Sequence, residues 1–301
     1  MGSNTDPEFE KLVNLELNNL LVRAEAKRKF EETALTNFTM PRGTFASDPL
    51  PLSPPELIPG LLLAHGATGL IGMKETGKTL SALEMQHSLL TGKPLWDVIT
   101  PNITIKKSVH FYAEHSCRTI LEQYKLMQLP ETDRQVFYGP EDLKQYKVLV
   151  SGGVCREHAV SVYKHLAEGA GLVVFDPIAA FIQGEGAEND NIQMRLLVDT
   201  MIDIARETGA GCLVLGHQGK PTLIHGELRS RDSYATRGAS SIEDALTAVL
   251  YLNAKSEPVG DRDVYEIVQR RFKGRKIKPF QLLRDRDTLR QTMAIAALRR
   301  K

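Results

Sequence analysis

Gly72-Met73-Lys74-Glu75-Thr76-Gly77-Lys78-Thr79 is the stretch on which the fold turns. It satisfies G-x-x-x-x-G-K-[ST] at every fixed position. The chemistry needs that spacing. Glycines let backbone N–H groups turn inward around phosphate oxygens, and a helix starting at the end of the loop points its N-terminus at the same anion. Lys78 offers a point charge to β- and γ-phosphates, and the Thr79 hydroxyl is placed to meet Mg²⁺. The residues expected to cradle the nucleotide are Gly72, Lys74, Glu75, Thr76, Gly77, Lys78, Thr79 and Leu80. The loop follows an apolar run over 62–72 and opens a helix over 80–90 that reads as amphipathic.

Outward from the loop, strands alternate with helices. Residues 108–112, 147–151, 171–176, 211–216, 245–253 and 264–270 read as strands, and 191–207 as a helix. That alternation predicts an α/β domain with a mostly parallel central sheet and helices on both faces. On the N-terminal side, Val13, Leu17, Leu20, Leu21 and Ala24 recur at helical spacing within 7–38. Pro41, Pro49, Pro51, Pro54 and Pro55 follow, a density that makes an extended tether rather than an element. The expected organisation is therefore an N-terminal helix with a Pro-rich tether over 1–50 and one α/β domain over 51–301.

Three further positions carry chemistry. Val173-Val174-Phe175-Asp176 is an apolar strand ending in an acid, the form suited to ordering a metal shell. Glu114 lies just past the 108–112 strand, expected beside the phosphate-loop strand, where a carboxylate can accept a proton from an attacking water. His217 and Gln218 leave the 211–216 strand at its carboxyl end, where ligands bind in such sheets.

Bulk composition narrows the class. Lys and Arg number 38 against 37 Asp and Glu, a net charge of +1, which excludes a strongly basic tail-type binder but leaves room for a local basic patch. Cys117, Cys155 and Cys212 are odd in number and far apart, which argues against a disulfide framework or a zinc site. The sequence shows neither an apolar run of membrane-spanning length nor a leader pattern, so the expectation is a cytoplasmic protein with no membrane partner.

Taken in order, these motifs resemble the RecA-like ATPases. They are most similar to the branch holding the plasmid RepA hexameric helicases and their phage and mobile-element relatives. The residues carrying the resemblance are 72–79, Ala113-Glu114-His115, Asp176-Pro177-Ile178-Ala179-Ala180-Phe181, Glu188-Asn189-Asp190-Asn191, His217-Gln218-Gly219-Lys220 and Arg237-Gly238-Ala239-Ser240-Ser241. It spans roughly residues 52–284. It implies ATP and Mg²⁺, with Lys78 and Thr79 on phosphate and metal, Asp176 ordering the metal shell, Glu114 as base and His217 sensing the γ-phosphate. Gln218 departs from the pattern, where a small hydroxyl residue is expected after the His, so which of the two side chains senses phosphate stays open.

The resemblance also implies a homo-oligomeric ring, hexameric by analogy. A neighbour's cationic finger would come from the strand after Val264; Arg271 and Lys273 are the candidates, with Arg270 the alternate. Single-stranded DNA contact is expected from 219–235, through Lys220, Arg229 and Arg231. The acidic 183–191 loop, with Glu185, Glu188 and Asp190, is not expected to grip DNA by charge. The function so implied is a ring-forming DNA helicase or translocase, with a replication protein as a possible partner. Two rivals are a recombinase-like or regulatory ATPase and an ATP-dependent loading factor acting on a protein.

Overall fold

The computed structural model describes residues 55–64, 66–114, 116–130, 132–218, 222–224, 227–229, 239–255, 257–272 and 276–294. All fall in one compact unit, Leu52–Lys301. The helix expected over 7–38 and its Pro-rich tether as far as Pro54 lie outside the described residues. In chain order the main elements are β1 (Ala67–Gly72), α1 (Lys78–Thr91), β2 (Ser108–Tyr112), α2 (Cys117–Leu126), β3 (Gln135–Tyr138), α3 (Glu157–Leu166) and β4 (Leu172–Asp176). There follow α4 (Asn191–Glu207), β5 (Gly211–His217), α5 (Ala239–Ala245), β6 (Ala248–Ala254), β7 (Arg262–Phe272), β8 (Phe280–Asp285) and β9 (Gln291–Met293).

Nine strands form one sheet in the order β9-β8-β7-β6-β1-β5-β4-β2-β3. The six from β6 to β3 run parallel, and β7, β8 and β9 add an antiparallel meander. This is the RecA-like, mostly parallel sheet the sequence implies.

Alternate residues of the same strands feed two cores. Val173 and Phe175 face one layer with Tyr163 of α3 and Leu197, Val198, Met201 and Ile204 of α4. Leu172 and Val174 face the other, with Ala82, Met85 and Leu89 of α1. A strand covered on both faces has no polar side to show, which is why 172–175 reads as an unbroken apolar run. Each fully buried Val, Leu or Phe contributes roughly 1.5–3 kcal/mol relative to exposure.

α1 departs from its expected amphipathic character. Residues from Leu80 to Leu90 are all buried, including Ser81, Glu84, Gln86, His87 and Ser88. The helix is covered on one side by the sheet, on another by Ile120 and Tyr124 of α2, and on a third by β8 and β9. Several of its buried polar groups are matched with specific partners, while His87 Nδ1 has none among the described residues. Ser81 Oγ donates to Gln291 Oε1 at 2.7 Å, and Gln86 Nε2 donates to Ser108 Oγ at 3.1 Å.

Three other expectations are corrected. The 62–72 run is two strands, Leu62–Leu63 and β1. Leu62–Leu63 turns back against Glu56–Ile58 through Gly60 at φ 69°, with Gly60 N donating to Glu56 Oε2. Within 147–151 only Val150–Ser151 is strand. It lies in a separate small sheet with Val154–Cys155 and Ile182–Gln183, the chain reversing at Gly152 and Gly153, both at positive φ. Finally, β2 does not border β1: β5 and β4 lie between them.

Candidate active site

β1 delivers the chain into the phosphate loop at Gly72. A Cβ there would fall 2.6 Å from Leu252 O and 2.8 Å from Thr76 Oγ1, so no larger residue fits. The loop closes at Gly77, φ 85°, which N-caps α1. The Lys78 ammonium is folded over the loop, donating to Gly72 O at 3.0 Å and Met73 O at 2.7 Å. Burial pushes its pKa down to about 8, against the opposing pull of Asp176 and Glu114. The carbonyls hold the ammonium at the loop in the place where phosphate oxygens are the better acceptors.

The Thr79 hydroxyl donates to Asp176 Oδ2 at 2.7 Å, joining the first turn of α1 to the end of β4 across 97 residues. With its proton committed to the carboxylate, Thr79 Oγ1 keeps lone pairs for a cation. Hydroxyl plus carboxylate is an all-oxygen donor set, the kind Mg²⁺ takes, and too few in number for a protein-only cage. The residues present fit Mg²⁺ shared with a nucleotide.

Glu114 and His217 complete the cluster. Ala113 N donates to Asp176 O at 2.8 Å and so fixes the chain entering Glu114. His217 stands in register with Gly72, and Gln218 N donates to Gly72 O at 3.0 Å. His217 Nε2 lies 3.6 Å from Glu114 Oε1. Burial, then the Lys78 charge, lowers the His217 pKa, while Glu114 and Asp176 pull it upward. The net direction favours a neutral imidazole. A cleft of roughly 280 Å³ opens beside the pair, walled by Met73, Ile178, Met194 and Ile242.

The structure thus brings Lys78, Thr79, Asp176, Glu114 and His217 to one place at the carboxyl edge of the sheet. Lys74 and Glu75 lie exposed on the loop, Thr76 is buried, and Leu80 turns its side chain into a small core with Leu83 and Tyr112. Glu114 reaches the site although β2 is not beside β1, because β2 pairs with β4 and ends level with Asp176. Asp190 of the acidic loop serves the fold, since its side chain accepts from Ile192 N and Gln193 N and N-caps α4.

Arg271 stands apart. It is level with Val249, hence with Gly69, while Gly72 is level with Leu252. That places Arg271 three residues down the sheet, roughly 10 Å along the strands, with β6 between β7 and β1. Arg271 Nη1 donates to Glu243 O at 3.0 Å and lies 3.6 Å from Asp244. Arg270 lies 3.5 Å from Glu243, which also accepts the Tyr251 hydroxyl proton. Lys273, Lys220 and Arg231 lie outside the described residues. Arg229 ends the strand Glu227–Arg229, paired with Thr222–Ile224 in a hairpin, and its side chain lies outside the described set.

Sequence reading missed four side chains behind the site. Gln291 of β9 hydrogen-bonds α1 through Ser81 and sends Nε2 toward Gly77 O at 3.5 Å. Arg284 of β8 reaches to 3.2 Å from where a Gly77 Cβ would stand. His110 and Gln86 lie buried behind Asp176. No periodic pattern marks any of the four: His110 is a single polar residue within an apolar strand, Gln86 reads as part of a polar helix face, and Arg284 and Gln291 lie on strands of mixed character.

A family model described as an AAA domain matches residues 40–222, more than half of the chain. No curated protein matches the sequence. Among solved structures the chain is similar to one titled "Crystal structure of the RadB recombinase", at 15% identity and a TM-score of 0.48, over 74% of this chain and 88% of that one. With the phosphate loop, its acid and the RecA-like sheet in place, the chain belongs to this AAA-domain family, as a RecA-like P-loop ATPase.

Proposed function

We propose that this protein hydrolyses ATP with Mg²⁺ and works as a ring-forming, hexameric motor on single-stranded DNA. Its setting in this reading is the replication of a plasmid, phage or mobile element in a cytoplasm, with a replication protein as partner. The observation that carries the ATPase part is the convergence of Lys78, Thr79, Asp176, Glu114 and His217 on one site. Thr79 and Asp176 would hold Mg²⁺, whose charge would offset that of the phosphates. Lys78 exchanges its two carbonyl acceptors for phosphate oxygens. Glu114 accepts the proton of a water whose oxygen attacks the γ-phosphorus, the bond to ADP breaks, and inorganic phosphate leaves. His217, neutral and 3.6 Å from Glu114, is positioned to feel the difference between a γ-phosphate and its absence.

Ring assembly is supported by Arg271, which lies on the wrong part of the sheet to serve its own phosphate loop and so suits a neighbour's. Among the described residues no helix is long and apolar enough to cross a membrane. The test is ATP turnover with and without single-stranded DNA, followed by a strand-displacement assay. The motor reading expects DNA to stimulate turnover several-fold and a tailed duplex to open. ATPase that ignores DNA would instead favour a protein-directed loading factor, and stimulation without unwinding a recombinase-like role.

A further inference from the structure

We propose that His110 is a positioning residue for the metal shell: it steadies the Asp176 carboxylate from behind, and is itself aimed by Gln86 of the phosphate-loop helix. The inference rests on the Mg²⁺·ATP reading above and adds residues to it. His110 sits in mid-β2 and is fully buried. Its neighbours Val109 and Phe111 face the opposite core, whereas His110 turns with Tyr112 toward the α1 layer. Tyr112 and Phe137 flank the ring at 6.1 and 5.8 Å between centroids.

Two polar groups meet the imidazole within this apolar wall. Nδ1 lies 3.0 Å from Gln86 Oε1, and Nε2 lies 3.4 Å from Asp176 Oδ2. The first contact is well supported. Gln86 is itself buried, bonded to Ser108 Oγ at 3.1 Å and to Gln135 Nε2 at 3.2 Å. The second is not closed into a hydrogen bond among the described residues. A buried imidazole nitrogen without a partner carries a desolvation cost, and a Leu or Phe would fill the same space without that cost. What the histidine adds is a ring nitrogen aimed at Asp176.

A carboxylate only accepts, so the useful form of Nε2 is N–H. A neutral ring supplies it when the Gln86 amide turns its N–H₂ toward Nδ1. The Ser108 hydroxyl can donate as readily as accept, so that turn keeps the Ser108 bond, and a matching turn of the Gln135 amide lets its otherwise unpartnered Oε1 accept from the Gln86 N–H₂. Thr79 and His110 then approach the same carboxylate oxygen, Oδ2, from two elements. A carboxylate so held cannot swing, and outer-sphere partners of this kind typically govern metal affinity by about 10–100-fold.

The experiment compares wild type with His110→Gln, His110→Asn and His110→Phe. ATP affinity is measured in EDTA and across a Mg²⁺ titration, with melting temperatures alongside. The Gln amide nitrogen can occupy the Nε2 position and reach Asp176; the Asn amide reaches only the Nδ1 side and Gln86. The expected result is that Asn and Phe raise the half-saturating Mg²⁺ about tenfold or more while metal-free ATP affinity stays unchanged. His110→Gln keeps the Mg²⁺ dependence of the wild type. Should Phe fail to fold, the Gln–Asn contrast decides alone. Equal Mg²⁺ dependence in Gln and Asn, Asn outperforming Gln, or losses that track melting temperature and metal-free affinity would each overturn the assignment. A wild-type protein whose ATP affinity ignores Mg²⁺ would overturn the Mg²⁺·ATP reading itself, before any variant is compared.

Discussion

Lys78 is the side chain whose loss should be felt most directly. Its ammonium rests on two loop carbonyls at 3.0 and 2.7 Å, and no other described cation hydrogen-bonds those carbonyls. Lys78→Ala should abolish hydrolysis and weaken ATP binding at least about tenfold, in keeping with a lost charge-assisted contact; near-normal turnover would remove the ATPase assignment. Glu114→Gln should separate binding from chemistry. The amide keeps the shape beside His217 but cannot take a proton, so turnover should fall about 10²–10⁴-fold while equilibrium ATP binding holds. A parallel fall in both would make Glu114 structural. These residues were legible because the phosphate loop is contiguous and because acids and a histidine end apolar strands. His110 and Gln86 were not legible: a polar residue inside an apolar run leaves no periodic mark, and its partner lies 24 residues away.

Among the elements, α1 carries the sharpest consequence of burial. Glu84 is enclosed with Gln291 N donating to its Oε1 at 2.9 Å, and burial pushes its pKa up to about 8, partly offset by that bond and by Arg290. Between the unfolded value near 4.5 and about 8 the folded state holds the proton and the unfolded chain does not. Stability must therefore fall as pH rises through that window and level off above it. Glu84→Gln keeps an acceptor for Gln291 N and removes the ionisation. It should raise unfolding free energy at pH 8 by on the order of 1–3 kcal/mol, with a smaller gain at pH 5. Denaturant melts at the two pH values check this, and an equal gain at both would contradict it. Covered strands such as β4 and the capped helix α4 could be read from the chain, since apolar runs and helical spacing are local. The position of β2, separated from β1 by two strands, could not, because a crossover hides sheet order. The β8–β9 meander was missed for another reason: β9 is only three residues long, and β8 mixes buried, intermediate and exposed positions without strict alternation.

For the molecule as a whole, the distance of Arg271 from its own phosphate loop makes a complementation test decisive. Lys78→Ala and Arg271→Ala proteins should each be inactive, and mixing them should restore part of the ATPase, since some interfaces join an intact loop to an intact arginine. Mixtures that stay dead would count against a shared site. Arg229→Ala with Arg231→Ala should weaken single-stranded DNA binding with basal ATPase intact, flattening the log–log salt dependence by about one for each lost phosphate contact; an unchanged salt slope would place DNA elsewhere. The grip of β9 on α1 has a further consequence, for how the protein is made. Ser81, Glu84 and Gly77 find their partner in Gln291, between 207 and 214 residues further along the chain. At translation rates of about 5–20 residues per second, the phosphate loop leaves the ribosome some 10–40 s before that strand exists. During that interval Ser81 and Glu84 of the nascent helix lack their Gln291 contacts, so the grip on the phosphate-loop helix closes only once Gln291 has been made.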